Sequence, residues 1–122
     1  MLFVIPPDFR VRYSFRSAER GGRKSGPPFQ GFRCDFLYEG QDPSRDPVYY
    51  VWPEFEDSEG RPISEGKQVP SEGTALMYVI QEELRPLHKA RIRPGVRASM
   101  LEGNRVVADL EVVDVLGLGS GA

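Results

Sequence analysis

Phe9, Val11, Tyr13 and Phe15 alternate with Arg10, Arg12, Ser14 and Arg16. A period of two puts the apolar side chains on one side of an extended backbone and the polar ones on the other, so this stretch is a β-strand with one buried face. A helix would scatter the same residues around its circumference.

The pattern recurs along the chain. "GFRCDFLYEG" sets Phe32, Cys34, Phe36 and Tyr38 against Arg33, Asp35, Leu37 and Glu39. "VYYVWPEF" is β-branched and aromatic on both faces, and Pro53, which cannot donate to a ladder, marks an end, an edge or a bulge. In "TALMYVIQ", Leu76, Tyr78 and Ile80 alternate with Ala75, Met77 and Val79. "VRASML" and "RVVADLEVVDVL" flank "EGN", where Gly103 and Asn104 are the residues a tight hairpin requires; beyond it Val106, Ala108, Leu110 and Val112 face one way and Asp109 and Glu111 the other.

The connections are equally marked. "SAERGGRKSGPP" is a loop, and residues 56–73 read as a long, exposed acidic loop with at most a short extended piece around Ile63. "EELRPLHKARIRPG", bracketed by Pro86 and Pro94, is expected to be an irregular crossover or short strand rather than a helix, and residues 117–122 a flexible tail. Thirteen glycines and eleven prolines in 122 residues agree with many turns and short strands. The expectation is one all-β domain over residues 1–122, an antiparallel barrel or sandwich of five or six strands.

A net charge of −2 argues against avid, nonspecific binding to nucleic acid. The charge is nevertheless segregated: eight basic and five acidic side chains up to residue 45, two and nine over 46–83, six and four thereafter. That distribution allows one basic and one acidic face. The opening "MLFVIPPDF" has neither the basic start of a signal peptide nor the length of a membrane span, so no membrane association is expected. A single cysteine cannot close an intramolecular disulfide, which makes a reducing, cytoplasmic setting the expectation, and Cys34 falls on the apolar side of its strand as a small buried hydrophobe.

No constellation demands catalysis. A phosphate-binding P-loop needs a glycine, four residues and then Gly-Lys-Ser/Thr; "GGRKSG" lacks that order, and Gly66-Lys67 is followed by Gln68 with Gly60 one place too far upstream. His88, the only histidine, has neither a nucleophile elbow nor a cysteine partner, although a hydrolase would have to use it. One cysteine and one histidine leave only carboxylates for a metal, and Glu54, Glu56, Asp57 and Glu59 lack calcium-loop spacing. Glu82 and Glu83 are adjacent, which in an extended segment points them apart. Neither enzyme, cofactor nor metal is expected.

Taken in order, "GGRKSGPPFQGFRCDF", "VPSEGTALMYVIQEELRPL" and "GVRASMLEGNRVVADLEVVDVLG" resemble the third, C-terminal β-barrel domain of translation elongation factor Tu. The marks are Gly21-Gly22-Arg23 before a Pro/Phe turn, Gly31-Phe32-Arg33 opening the next strand, a proline turn before the strand at Met77, and Glu102-Gly103 at the final hairpin; they span about residues 9–117. The resemblance implies a closed antiparallel barrel of six strands, standing alone without GTPase activity. It also implies that surfaces which pack on a neighbouring barrel in that family are open here to a protein partner or a second copy of the chain. The family's tRNA contacts would fall at Asp35, where the family usually has a glutamine, and at Glu102 and Gly103. Arg23, Lys24 and Arg33 are the cations available to an anionic partner, with Phe29 or Phe32 for stacking and Arg10, Arg12 and Arg16 extending a basic surface. A non-catalytic module binding a protein is therefore the leading expectation, and binding of tRNA or another RNA the alternative.

Overall fold

The computed structural model describes residues 5–120, and side chains as far as 118. Six strands, β1 (Phe9–Phe15), β2 (Asp35–Tyr38), β3 (Tyr49–Phe55), β4 (Glu72–Val79), β5 (Arg97–Glu102) and β6 (Arg105–Val115), close into an antiparallel barrel in the order β1-β4-β3-β2-β5-β6. Between the barrel and sandwich left open by periodicity, closure is the observed solution. It removes the sheet edges that would otherwise expose unpaired backbone.

The alternation of β1 sends Phe9, Val11 and Tyr13 into the interior, where they meet Phe36, Val51, Phe55, Met77, Met100 and Leu110, all buried. Aromatic rings dominate this core through edge-to-face contacts, Phe9 on Phe36 at 6.1 Å and Tyr13 on Phe55 at 5.0 Å between centroids. Cys34 is among the buried residues, and burial pushes its thiol far above the ordinary range.

Two departures from simple alternation occur in β6. Met100 and Leu101 of β5 face Ala108 and Val106, and Arg10 and Val11 of β1 face Asp114 and Val112, so that Val107 and Val113 are extra residues in bulges. The first bulge turns Val107 into the core and leaves Val106 half-buried, the reverse of what strict alternation predicts. Bulges increase local twist and bend, which the closing strand of a small barrel needs. Pro53 does not end β3, which runs through it opposite Met77. β2 reaches β3 only at Tyr49 and Tyr50, and the Phe55 N–H, facing the same way as the Pro53 nitrogen, bonds the Gln30 side chain at 2.9 Å instead of a strand. Pro53 thus lies where β3 has no strand neighbour on that side, a local edge within a closed barrel.

The segment expected as an irregular crossover is helical. A 3₁₀ turn over Glu82–Leu84 runs into α1 (Arg85–Arg91), with Pro86 inside the first turn, where a missing N–H costs nothing because those donors have no intrahelical partner. At its other end Arg93 donates from Nη1 to the Lys89 and Ile92 carbonyls. The expected flexible tail begins as a short helix, α2 (Gly117–Ser120), whose Leu118 is buried; residues 121–122 lie outside the described residues. The acidic loop is less exposed than its composition suggests. Glu56 and Val69 are buried, Ile63 packs on the core, and isolated bridges join Glu56 to Pro62 and Phe29 to Gln68. Gln30 explains much of this: its side-chain amide donates to the Phe55 and Ile63 carbonyls at 2.8 and 2.9 Å, tying the loop to the barrel wall.

α1 and α2 seal the end of the barrel at which β1 starts, and Asp8 organises that seal. Its carboxylate is 3% exposed and accepts from the Val79 N–H at 2.8 Å and from Arg85 at 2.6 and 3.1 Å. Its backbone N–H bonds the Met77 carbonyl, and its carbonyl accepts from Leu116 and Leu118. Asp8→Ala is therefore expected to destabilise the protein by about 3 kcal/mol, since it strips a buried amide and an arginine of their acceptor. A urea denaturation midpoint unchanged from the parent would contradict this role.

Candidate functional site

The opposite end of the barrel carries the first loop, the acidic loop and the β5–β6 hairpin. There the structure gathers residues distant in sequence. Arg33, Cys34 and Asp35 border Tyr50, Trp52, Leu101, Glu102 and Gly103 around a depression of about 260 Å³. Gly103 holds the hairpin's first central position at φ 62°, with Asn104 at negative φ, the arrangement in which glycine is needed only once. Upstream, the first loop folds tightly on the end of β1: a Cβ on Gly22 would stand 1.9 Å from the Arg16 carbonyl oxygen. Only glycine fits, and this close return points the chain from Arg23 onward toward the hairpin.

Of the six site candidates, Arg23, Arg33, Asp35, Glu102 and Gly103 come together; Lys24 is exposed on the loop and is not part of the depression. Arg23 is committed within the fold. It donates to Glu102 at 3.2 Å and to the Gly26 carbonyl at 2.8 Å, and it sits 5.5 Å from the Phe32 ring centroid. Arg33 lies over Trp52 with its guanidinium carbon 4.5 Å from the ring centroid, a cation–π contact. Phe29, one of the two rings offered for stacking, is 59% exposed.

The expected basic surface on β1 is neutralised by acidic residues on neighbouring elements. Arg10 pairs with Glu56 at 2.9 Å and Asp114 at 3.0 Å, Arg12 with Glu111 at 3.4 Å, and Arg16 with Asp109 at 2.8 Å. Register causes this, because β1 lies antiparallel to β6 with Arg10 opposite Asp114, Arg12 opposite Glu111 and Ser14 opposite Asp109. The charge segregation of the sequence is therefore mixed in space. The wide groove of about 460 Å³ beside these residues is lined by both signs, including Arg12, Arg97, Asp109 and Glu111.

Asp35 differs from its neighbours. It opens β2 at the hairpin end of the barrel, opposite Tyr50 of β3 and Leu101 of β5. Among the described residues no donor bonds its carboxylate, and desolvation raises its pKa above the ordinary value. Tyr50, beside it, is 47% exposed. The sequence did not single out Tyr50, because a run that is apolar on both faces gives no sign of which tyrosine points outward. The exposed Tyr50 beside a buried Tyr49 is a product of register alone.

His88 lies at the sealed end, fully buried among Phe36, Tyr38 and Tyr49, with Nδ1 2.6 Å from the Tyr38 hydroxyl. Among the described residues its Nε2 has no hydrogen-bond partner. Burial, reinforced by the positive charge of Arg91, lowers its pKa to about 4 from 6.5; Asp8 opposes the shift and Arg85 adds to it. A substrate cannot reach this ring, so the hydrolase role considered for His88 has no access route in the fold. Among the described residues no three His, Cys, Asp or Glu side chains assemble as metal ligands.

No protein-family model matches the chain, and no curated protein matches it.

His88 yields a pH prediction. Because the unfolded chain takes up the proton more readily, its stabilising contribution is complete above the unfolded value of 6.5, declines as pH falls, and is gone near 4. The loss amounts to about 3 kcal/mol. Denaturation of wild type and His88→Leu between pH 4 and 8 checks it: the stability difference is expected to move in favour of the variant on acidification, and a difference independent of pH would contradict the buried neutral imidazole.

Proposed function

We propose that this barrel is a non-catalytic interaction module that binds a protein partner through the face formed by Tyr50, Trp52, Arg33 and the β5–β6 hairpin. The observation that carries the reading is Tyr50, 47% exposed beside a half-buried Trp52 with Arg33 stacked on it. Tyrosine, tryptophan and arginine are the residue types that dominate binding energy at protein interfaces, since they bury large areas and keep polar handles. The ring and guanidinium are already in contact, so little side-chain freedom remains to be lost on binding.

The electrostatics favour protein over RNA at this face. Asp35 and Glu102 present carboxylates where phosphate would have to lie, and Arg23 is engaged by Glu102. The resemblance to the elongation factor barrel adds weight in the same direction, because that family buries barrel faces against a second domain. A second copy of this chain would be one such partner.

A photo-reactive amino acid at position 50, expressed in cells that make the protein, tests the proposal. Irradiation is expected to give one defined protein adduct that is absent when the probe stands at Lys24 and lost on Trp52→Ala. Adducts of RNA, or equal protein adducts from both positions, would overturn it.

A further inference from the structure

Asp35 stands half-buried on the barrel wall, its carboxylate bonded by no described residue and left to solvent. A half-buried carboxylate normally finds a donor, and two cations are close in sequence or space. Arg33 is held on the Trp52 ring instead, and Arg23 bonds Glu102 and the Gly26 carbonyl. Glu102 is thereby answered within the fold, whereas no described residue bonds the Asp35 carboxylate. Around it are an exposed tyrosine on β3, a buried leucine on β5, and the Trp52 and hairpin walls of the 260 Å³ depression.

We infer that Asp35 is the acceptor for an arginine or lysine side chain of the partner, whose aliphatic stem packs along Tyr50 while its charged head bonds the carboxylate. Charge complementarity selects the occupant: an anionic or purely apolar segment would leave Asp35 buried without a counter-charge, and a cation removes that penalty. Aromatic rings with a carboxylate beside them in one depression suit a side chain that is apolar along its stem and charged at its tip. The inference rests on the proposed binding face and specifies the chemistry recognised there.

Such a site trades stability for binding, and that trade is measurable. Asp35→Asn keeps the shape and removes the charge, so its urea denaturation midpoint is expected to rise above that of wild type. Two blocked peptides serve as probes, acetyl-Leu-Arg-Leu-amide and its neutral analogue with citrulline in place of arginine. Titrated into ¹⁵N-labelled protein, the arginine peptide is expected to shift the amides of Asp35, Tyr50 and Leu101 and the Trp52 indole. Citrulline, or Asp35→Asn with the arginine peptide, is expected to weaken binding roughly tenfold, as loss of a charge-assisted hydrogen bond does. Equal affinity for both peptides, or an Asp35→Asn variant that binds like wild type, would overturn the assignment of a cation. The position-50 adduct separates the two ideas: an adduct formed equally by wild type and Asp35→Asn leaves the face standing without the cation, while no adduct from either removes the face itself.

Discussion

A carboxylate with no water around it must be bonded on every side, and Asp8 at the head of β1 meets that demand by drawing four elements together. Val79 of β4 and Arg85 of α1 donate to its side chain, while its backbone exchanges bonds with Met77 and with the chain after β6. Moving any of these elements would leave a buried charge unanswered, which is more costly than losing a few apolar contacts. The seal that results keeps His88 and the aromatic cluster dry, and it fixes where β1 begins against both β4 and β6. Register then propagates around the closed barrel, because a slip of one residue would turn each alternating strand inside out.

From that register follows the character of the other end. Setting Arg10, Arg12 and Arg16 beside acidic residues of β6 and of the acidic loop consumes most of the cationic surface that the sequence suggested. Setting β2 between β3 and β5 places Asp35 next to Tyr50 and Leu101, and the hairpin brings Glu102 to Arg23 across 79 positions of sequence. What remains open is a patch with aromatic walls and one unanswered carboxylate. One end of the barrel is thus sealed around the fully bonded Asp8 carboxylate, and the other leaves the Asp35 carboxylate without a protein donor among the described residues.

Much of the fold was legible because periodicity is a local signal. β1, β4, β5 and the hairpin at Gly103 stand where alternation and turn chemistry put them, since one face of each strand meets the core. The α1 helix was hidden by Pro86, which reads as a breaker until its place in the first turn is known. The bulges at Val107 and Val113 were hidden because β6 is apolar on both faces near its ends, where alternation carries no information. Asp8, Gln30 and Glu56 were unreadable as interior residues, because their burial depends on donors far away in sequence. The site was half legible: Arg23, Arg33, Asp35, Glu102 and Gly103 do converge, but which cation is committed and which carboxylate is left over is a property of three-dimensional pairing.

The division between an end sealed through Asp8 and an open one is tested most directly by native-state hydrogen exchange. The Val79, Leu116 and Leu118 amides, all bonded to Asp8, are expected to exchange only through global unfolding, with the same denaturant dependence as the barrel core. Amides of the β5–β6 hairpin around Gly103 are expected to exchange through smaller openings. Faster exchange at Val79 and Leu116 than at the hairpin would contradict the claim that Asp8 holds the barrel closed.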